Sequence, residues 1–180
     1  MNQWYTYRAN IQRTGYIQSK PIESGVEKWV FQTNGPVVSS PISVNNTVYV
    51  GSQDKKLYAL DAKDGSLKWE FITGGKINSS PTVIGDVLYI GSQDNHFYAI
   101  DVNKGKQKWA FKTRGWIESS AVIFEDTAFI GSNDSLFYAI NIKTSQLKWK
   151  FQTGDSIIAS PAIWGELVYI ASNDGKVYAL

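Results

Sequence analysis

Cysteine is absent from the 180 residues, and histidine occurs once, as His96. Without a thiol there is no disulfide, no thiolate metal site and no cysteine nucleophile. A single imidazole, set in a turn beside Asn95 with no obvious serine or carboxylate partner, matches neither a triad nor a metal-ligand set, and is expected to face solvent. Long apolar runs are missing too, so no stretch has the length of a membrane-spanning helix. Charge of either sign is sparse and scattered: 18 Lys and Arg against 16 Asp and Glu give a net +2. No block of like charge forms the footprint of a nucleic-acid or acidic-membrane ligand. The first residues, Met1-Asn-Gln-Trp4-Tyr-Thr-Tyr-Arg8, have neither the basic nor the apolar segment of a signal peptide. If the protein is exported, its leader is expected to lie outside this chain.

Aromatic residues are abundant, with seven Trp, ten Tyr and eight Phe making 14% of the chain. Such side chains pack best on pleated sheets. They are also periodic. Trp29, Trp69, Trp109 and Trp149 are forty residues apart, and the last three close related stretches: Ala59-Leu-Asp61-Ala-Lys-Asp64-Gly65-Ser-Leu-Lys-Trp69, Ala99-Ile-Asp101-Val-Asn-Lys104-Gly105-Lys-Gln-Lys-Trp109 and Ala139-Ile-Asn141-Ile-Lys-Thr144-Ser145-Gln-Leu-Lys-Trp149. Trp29 closes a shorter version, Ser24-Gly25-Val-Glu-Lys-Trp29. A fixed period in this range is the signature of units that bury their apolar faces against one another.

Within one period, turn residues separate four short apolar runs. The spacing predicts an inner strand over 37–44, a second over 47–52, a third over 56–61 and an outermost strand beginning near 67. Small residues fill the inner run, as in Ser39-Ser40-Pro41 and Ser79-Ser80-Pro81, and bulky Trp-x-Phe-x-Thr fills the outer one. That radial gradient suits sheets crowded at an axis and splayed outwards, so the fold class expected is all-β, a β-propeller of four-stranded antiparallel blades. Residues 1–26 form a lead-in, and residues 27–180 hold four blade equivalents, beginning with an outermost strand at 28–33. That strand has no earlier partner, and the third strand ending at Leu180 has none after it. A closed four-bladed ring, a homodimer completing one ring, or part of a seven- or eight-bladed ring would each satisfy the pattern. The last is the expectation.

In these motifs the sequence resembles the quinoprotein-type (PQQ-like) β-propeller repeat family, whose tryptophan-docking motif reads Ala-x-Asp-x-x-Thr-Gly-x-x-x-Trp. The likeness covers residues 27–180, and Trp4, Arg8 and Arg13-Thr-Gly15 are similar to the segment that often precedes the first blade. It implies that each indole packs between the Ala of its own blade and the glycine peptide of the next. Asp64 and Lys104 stand where Thr is usual, and Ser145 stands where Gly is usual, so strain or a changed turn is expected at Ser145. The family holds quinone-dependent alcohol and glucose dehydrogenases, an outer-membrane barrel-assembly scaffold lipoprotein, and sensor ectodomains.

The dehydrogenase reading would call for PQQ with calcium, a catalytic Asp and commonly an adjacent pair of cysteines. Asp54, Asp94, Asp134 and Asp174 instead recur at one hairpin turn, where Asp bonds its own backbone, and Gly74-Gly75 precedes a strand rather than a phosphate-binding helix. The expectation is therefore no enzyme and no cofactor, but a scaffold that binds a protein or peptide, with an extracytoplasmic or envelope location implied by the resemblance. Its alternatives are a dehydrogenase fragment and the sensing domain of a larger receptor. Positions that break the repeat on the outer-to-inner connections mark the candidate partner-binding face: Lys76, Asn78, Arg114, Trp116, Glu118 and Asp155. Trp116 beside Arg114 has the composition of an interface anchor.

Overall fold

Four antiparallel sheets follow one another along the chain in the computed structural model, which describes residues 25–180. Most of the lead-in, with Trp4, Arg8 and Arg13, lies outside the described residues. The first sheet comprises β1 (Ile42–Val44), β2 (Thr47–Gly51), β3 (Lys56–Asp61) and β4 (Leu67–Ile72). The second comprises β5 (Thr82–Ile84), β6 (Val87–Gly91), β7 (His96–Asp101) and β8 (Gln107–Lys112). The third comprises β9 (Val122–Phe124), β10 (Thr127–Gly131), β11 (Leu136–Asn141) and β12 (Leu147–Gln152). The last has three strands, β13 (Ala162–Trp164), β14 (Leu167–Ala171) and β15 (Val177–Ala179). Strand order equals chain order in every sheet, the meander of a propeller blade.

The inner strands are shorter than the run of apolar and small residues predicts, beginning at Ile42 rather than near residue 37. A side chain replaces the ladder there. Ser39 Oγ donates to the carbonyl of Gly51 at 2.9 Å and accepts from its N–H at 2.8 Å, and Ser79 and Ser119 do the same to Gly91 and Gly131. The hydroxyl satisfies both backbone groups but holds the chain too far away for strand pairing. The next serine links blades. The N–H of Ser40 donates to Ser80 Oγ, that of Ser80 to Ser120 Oγ and that of Ser120 to Ser160 Oγ, each across forty residues at 2.8–2.9 Å.

Burial occurs between sheets rather than inside one. One core layer combines Ile42, Tyr49 and Leu57 of the first blade with Ile77, Val83 and Tyr98 of the second, and equivalent layers join the second to the third and the third to the fourth. Glycine permits the closest approach. A Cβ on Gly51, Gly91 or Gly131 would collide with Ile77, Ile117 or Ile157 of the following blade, and all three isoleucines are fully buried.

Residues 28–33, expected as an outermost strand, pair with no strand among the described residues. Their side chains nevertheless occupy an outermost strand's place against the first blade. Trp29 and Phe31 pack on Val50, Tyr58 and Leu60, and Phe31 meets Tyr58 edge to face at 5.2 Å, as Phe71 meets Tyr98 at 5.3 Å. A ladder needs a neighbour of the same blade, and β15 is not placed beside them.

Candidate protein-binding face

The hairpin aspartates come first, because their chemistry is consumed by the fold. Asp54 Oδ2 accepts from the O–H of Tyr58 at 2.6 Å and from the N–H of Asn34 at 3.0 Å, while Oδ1 accepts from the N–H of Lys56 at 3.0 Å. Asp94, Asp134 and Asp174 repeat the arrangement with Tyr98, Tyr138 and Tyr178 and with the connections at Gly74, Arg114 and Gly154. Each carboxylate thus ties its hairpin to its own blade's tyrosine and to the connection arriving from the preceding outer strand. Burial raises the Asp54 carboxyl, but the Tyr58 hydroxyl and the backbone donors outweigh it and leave the pKa below the usual range. The Tyr58 phenol moves up, through burial and then through the carboxylate beside it. Asp174 is lowered chiefly by Tyr178.

The connections that descend from an outer strand to the next inner strand gather where neighbouring blades meet at the axis. Here Glu118 collects three amides. Asn78 Nδ2 and Gln93 Nε2 donate to its Oε1 at 2.7 and 2.8 Å, and Asn133 Nδ2 donates to Oε2 at 3.2 Å. Gln53 Nε2 in turn donates to Asn78 Oδ1 at 3.1 Å. Four polar side chains thus run across three blades into one carboxylate. Burial pushes the Glu118 carboxyl up, and the three N–H donors together more than offset it, so its pKa lies below the ordinary value and the charge persists at neutral pH. Beside it, Asn133 Oδ1 is buried without a hydrogen-bond partner. A buried acceptor next to a held carboxylate invites a donor from outside. Apolar surface flanks the pair. Trp116 is 51% exposed, and Val38 and Ile158, which occupy the repeat position of Asn78 and Glu118, are exposed as well.

Of the six residues singled out in the sequence, the structure brings Asn78 and Glu118 together directly. Lys76, Arg114, Trp116 and Asp155 are exposed on the same set of connections, without side-chain hydrogen bonds to one another among the described residues. The periodic residues Gln53, Gln93 and Asn133 were not among the six. Their signal was present, an amide at the same hairpin position in each copy, but it reads as turn chemistry until the blades are set side by side. His96 is half-buried rather than fully solvated, with Nδ1 2.9 Å from the carbonyl of Asp94 and its ring 5.7 Å from that of Tyr98. Among the described residues, no three His, Cys, Asp or Glu side chains converge as a metal site would require. The side-chain groups that reach Glu118 are the amide N–H donors of Asn78, Gln93 and Asn133.

The model of a PQQ-like family described as "Outer membrane protein assembly factor BamB" matches residues 13–179. The chain belongs to that family. No curated protein matches it. Among solved structures it is similar to BamB from Moraxella catarrhalis, at 20% identity and a TM-score of 0.74 over 85% of this chain and 49% of that one. It is also similar to the quinohemoprotein alcohol dehydrogenase ADHIIG from Pseudomonas putida HK5, at 19% identity and a TM-score of 0.82 over 95% of this chain and 34% of that one. The computationally designed Ika4 protein matches at 15% identity and a TM-score of 0.78, over 87% of this chain and 98% of Ika4. The chain therefore spans about half the length of the natural BamB it resembles and a third of the dehydrogenase. At these identities the likeness shows the fold, a PQQ-like β-propeller, and the fold serves both a scaffold and an enzyme.

Proposed function

We propose that this BamB-family propeller is a non-catalytic platform that binds a protein or peptide partner on its axial face, in the assembly of the cell envelope outside the cytoplasm. The observation that carries the reading is Glu118. It is a charged carboxylate held rigid by Asn78, Gln93 and Asn133, next to an unsatisfied acceptor and rimmed by exposed Trp116, Val38 and Ile158. That is the composition of a docking site with an aromatic anchor and a polar centre, suited to a segment that presents a cationic or N–H-rich group between apolar side chains. The family's description as an outer-membrane assembly factor supports the choice of partner class.

A dehydrogenase remains the competing reading, because one similar solved structure is a quinohemoprotein alcohol dehydrogenase. The two are separated by titrating the chain with purified outer-membrane assembly proteins and, in parallel, by assaying dye-linked alcohol and sugar oxidation with added PQQ and calcium. The platform reading predicts saturable binding that weakens roughly tenfold or more in Trp116→Ala or Glu118→Gln, the loss typical of an interface anchor. Oxidation that follows bound quinone, with binding indifferent to both substitutions, would contradict it.

A further inference from the structure

Glu118 forms no ion pair among the described residues, and we propose that an arginine side chain of the partner supplies its counter-ion, the guanidinium seated on Glu118 and Asn133 beside the indole of Trp116. This rests on the platform reading above and names the chemical group that such a partner must present.

Elsewhere on the surface lysines neutralise carboxylates. Glu70, Asp61, Asp86 and Asp126 each hold an ammonium at 2.7–3.1 Å. The side chains that reach Glu118 are instead neutral amides. Arg114 lies on the same connection, but its N–H is held by Asp134 Oδ2 at 2.9 Å, and its charge falls on Tyr138, whose phenol burial raises and Arg114 partly lowers. A half-buried carboxylate without a cation carries a desolvation cost that neutral hydrogen bonds offset only in part. Glu118 does not escape that cost by taking up a proton. Burial raises its pKa, yet the amides hold it below the ordinary value.

The spare acceptors have a direction. A carboxylate oxygen accepts about two hydrogen bonds. Oε1 has both, from Asn78 and Gln93, whereas Oε2 has one, from Asn133 Nδ2. The remaining capacity lies on the oxygen that Asn133 touches, and Asn133 Oδ1 is itself a buried acceptor without a partner. Two vacant acceptors on side chains in contact suit N–H groups set in a fixed fork, which a guanidinium has. An ammonium is a compact, strongly hydrated point charge, and a neutral amide would leave the carboxylate's charge unpaired.

Trp116 completes the seat. It precedes Glu118 by two residues, and its carbonyl accepts the N–H of Asn133 at 2.8 Å, so indole, carboxylate and vacant amide oxygen belong to one braced unit. The same backbone bond joins Pro36 to Gln53, Lys76 to Gln93 and Ser156 to Asn173. Of these four connections, the third alone carries an aromatic residue two positions before an acid. The half-exposed indole offers the surface on which a guanidinium stacks.

The test is an NMR titration of the whole chain with capped Leu-Arg-Leu, Leu-Lys-Leu and Leu-citrulline-Leu peptides, following the Trp116 indole N–H and the Asn133 side-chain amide. The arginine peptide should bind saturably and more weakly as salt is added, and the lysine and citrulline peptides should bind roughly tenfold more weakly than it. Glu118→Gln should erase the preference for arginine over citrulline while the circular dichroism stays unchanged. Glu118→Val, which installs the residue that the first blade carries as Val38, decides the matter if the glutamine variant does not fold. Equal binding of the arginine and citrulline peptides, no response to the arginine peptide, a preference that survives in a folded variant, or binding that requires added calcium would overturn the proposal. Failure of the platform reading looks different: the arginine preference is present and depends on Glu118, but purified outer-membrane assembly proteins do not bind.

Discussion

Ser145 is where the repeat's most demanding residue is missing. Gly65 and Gly105 hold φ of 74° and 62°, and a Cβ built on either would lie 2.5 or 2.7 Å from the indole of Trp29 or Trp69. Ser145 keeps the same left-handed backbone at φ 58° and does have a Cβ. The chain tightens its turn with Gly65 N–H to Asp61 O and Gly105 N–H to Asp101 O, but no such bond forms at Ser145 among the described residues, and Trp109 Nε1 donates to no carbonyl there. The strain expected from the sequence is therefore present, and its effect reaches the neighbouring blade's tryptophan. Ser145→Gly should stabilise by about 1 kcal/mol, the order of the left-handed penalty for a residue with a Cβ, seen as a higher melting temperature. Trp109→Ala should cost about 3–5 kcal/mol, as a large aromatic truncation in an interior contact. A melting temperature unmoved by the second substitution would mean that the indoles do not lock blade to blade.

At the scale of the element, the blade is a four-strand meander with one bulge and one carboxylate. Every outer strand shifts register opposite the motif alanine, between Ala59 and Leu60, Ala99 and Ile100, and Ala139 and Ile140. The bulge turns the lysine before each tryptophan back across the blade, so that Lys68 Nζ reaches Asn46 O and Thr47 Oγ1 at 2.9 Å and Lys108 Nζ reaches Asp86 at 2.9 Å. A lysine on an outer strand commonly guards an exposed edge, but here the bulge, which a period of two cannot show, gives Lys68 and Lys108 a partner within the sheet. The Asp–Tyr pair sets the pH response. The folded-state pKa of Asp54 is depressed, so its stabilisation is present above the unfolded carboxyl value and is lost as pH falls through the folded value. Tyr58 and Tyr98 are raised, so their stabilisation is complete below the ordinary phenol value of 10.0 and is lost as pH rises through the higher folded value. Denaturant midpoints should hold across neutral pH and fall on both flanks. Tyr98→Phe should remove part of the alkaline fall; a flank unchanged in that variant would separate the pair from the effect.

For the whole molecule, the period, the turn residues and the radial size gradient made the propeller legible, because each is a local consequence of how one blade packs on the next. The face was only partly legible. Arg114 and Trp116 break the repeat and drew notice, and Asn78 and Glu118 did so without their other partners, because Gln53, Gln93 and Asn133 are ordinary hairpin residues whose meeting depends on the angle between blades. That residues 28–33 pair with no strand among the described residues could not be read either, since a strand motif carries no statement of what lies beside it. The measurement that tests the axial-face account most directly is amide hydrogen exchange of the chain alone and saturated with an outer-membrane assembly partner. Slowed exchange should concentrate on the connections around Asn78, Arg114 to Glu118 and Asn133, with β4, β8 and β12 unaffected. Protection confined to those outer strands, with the connections around Glu118 exchanging as in the free chain, would contradict the account.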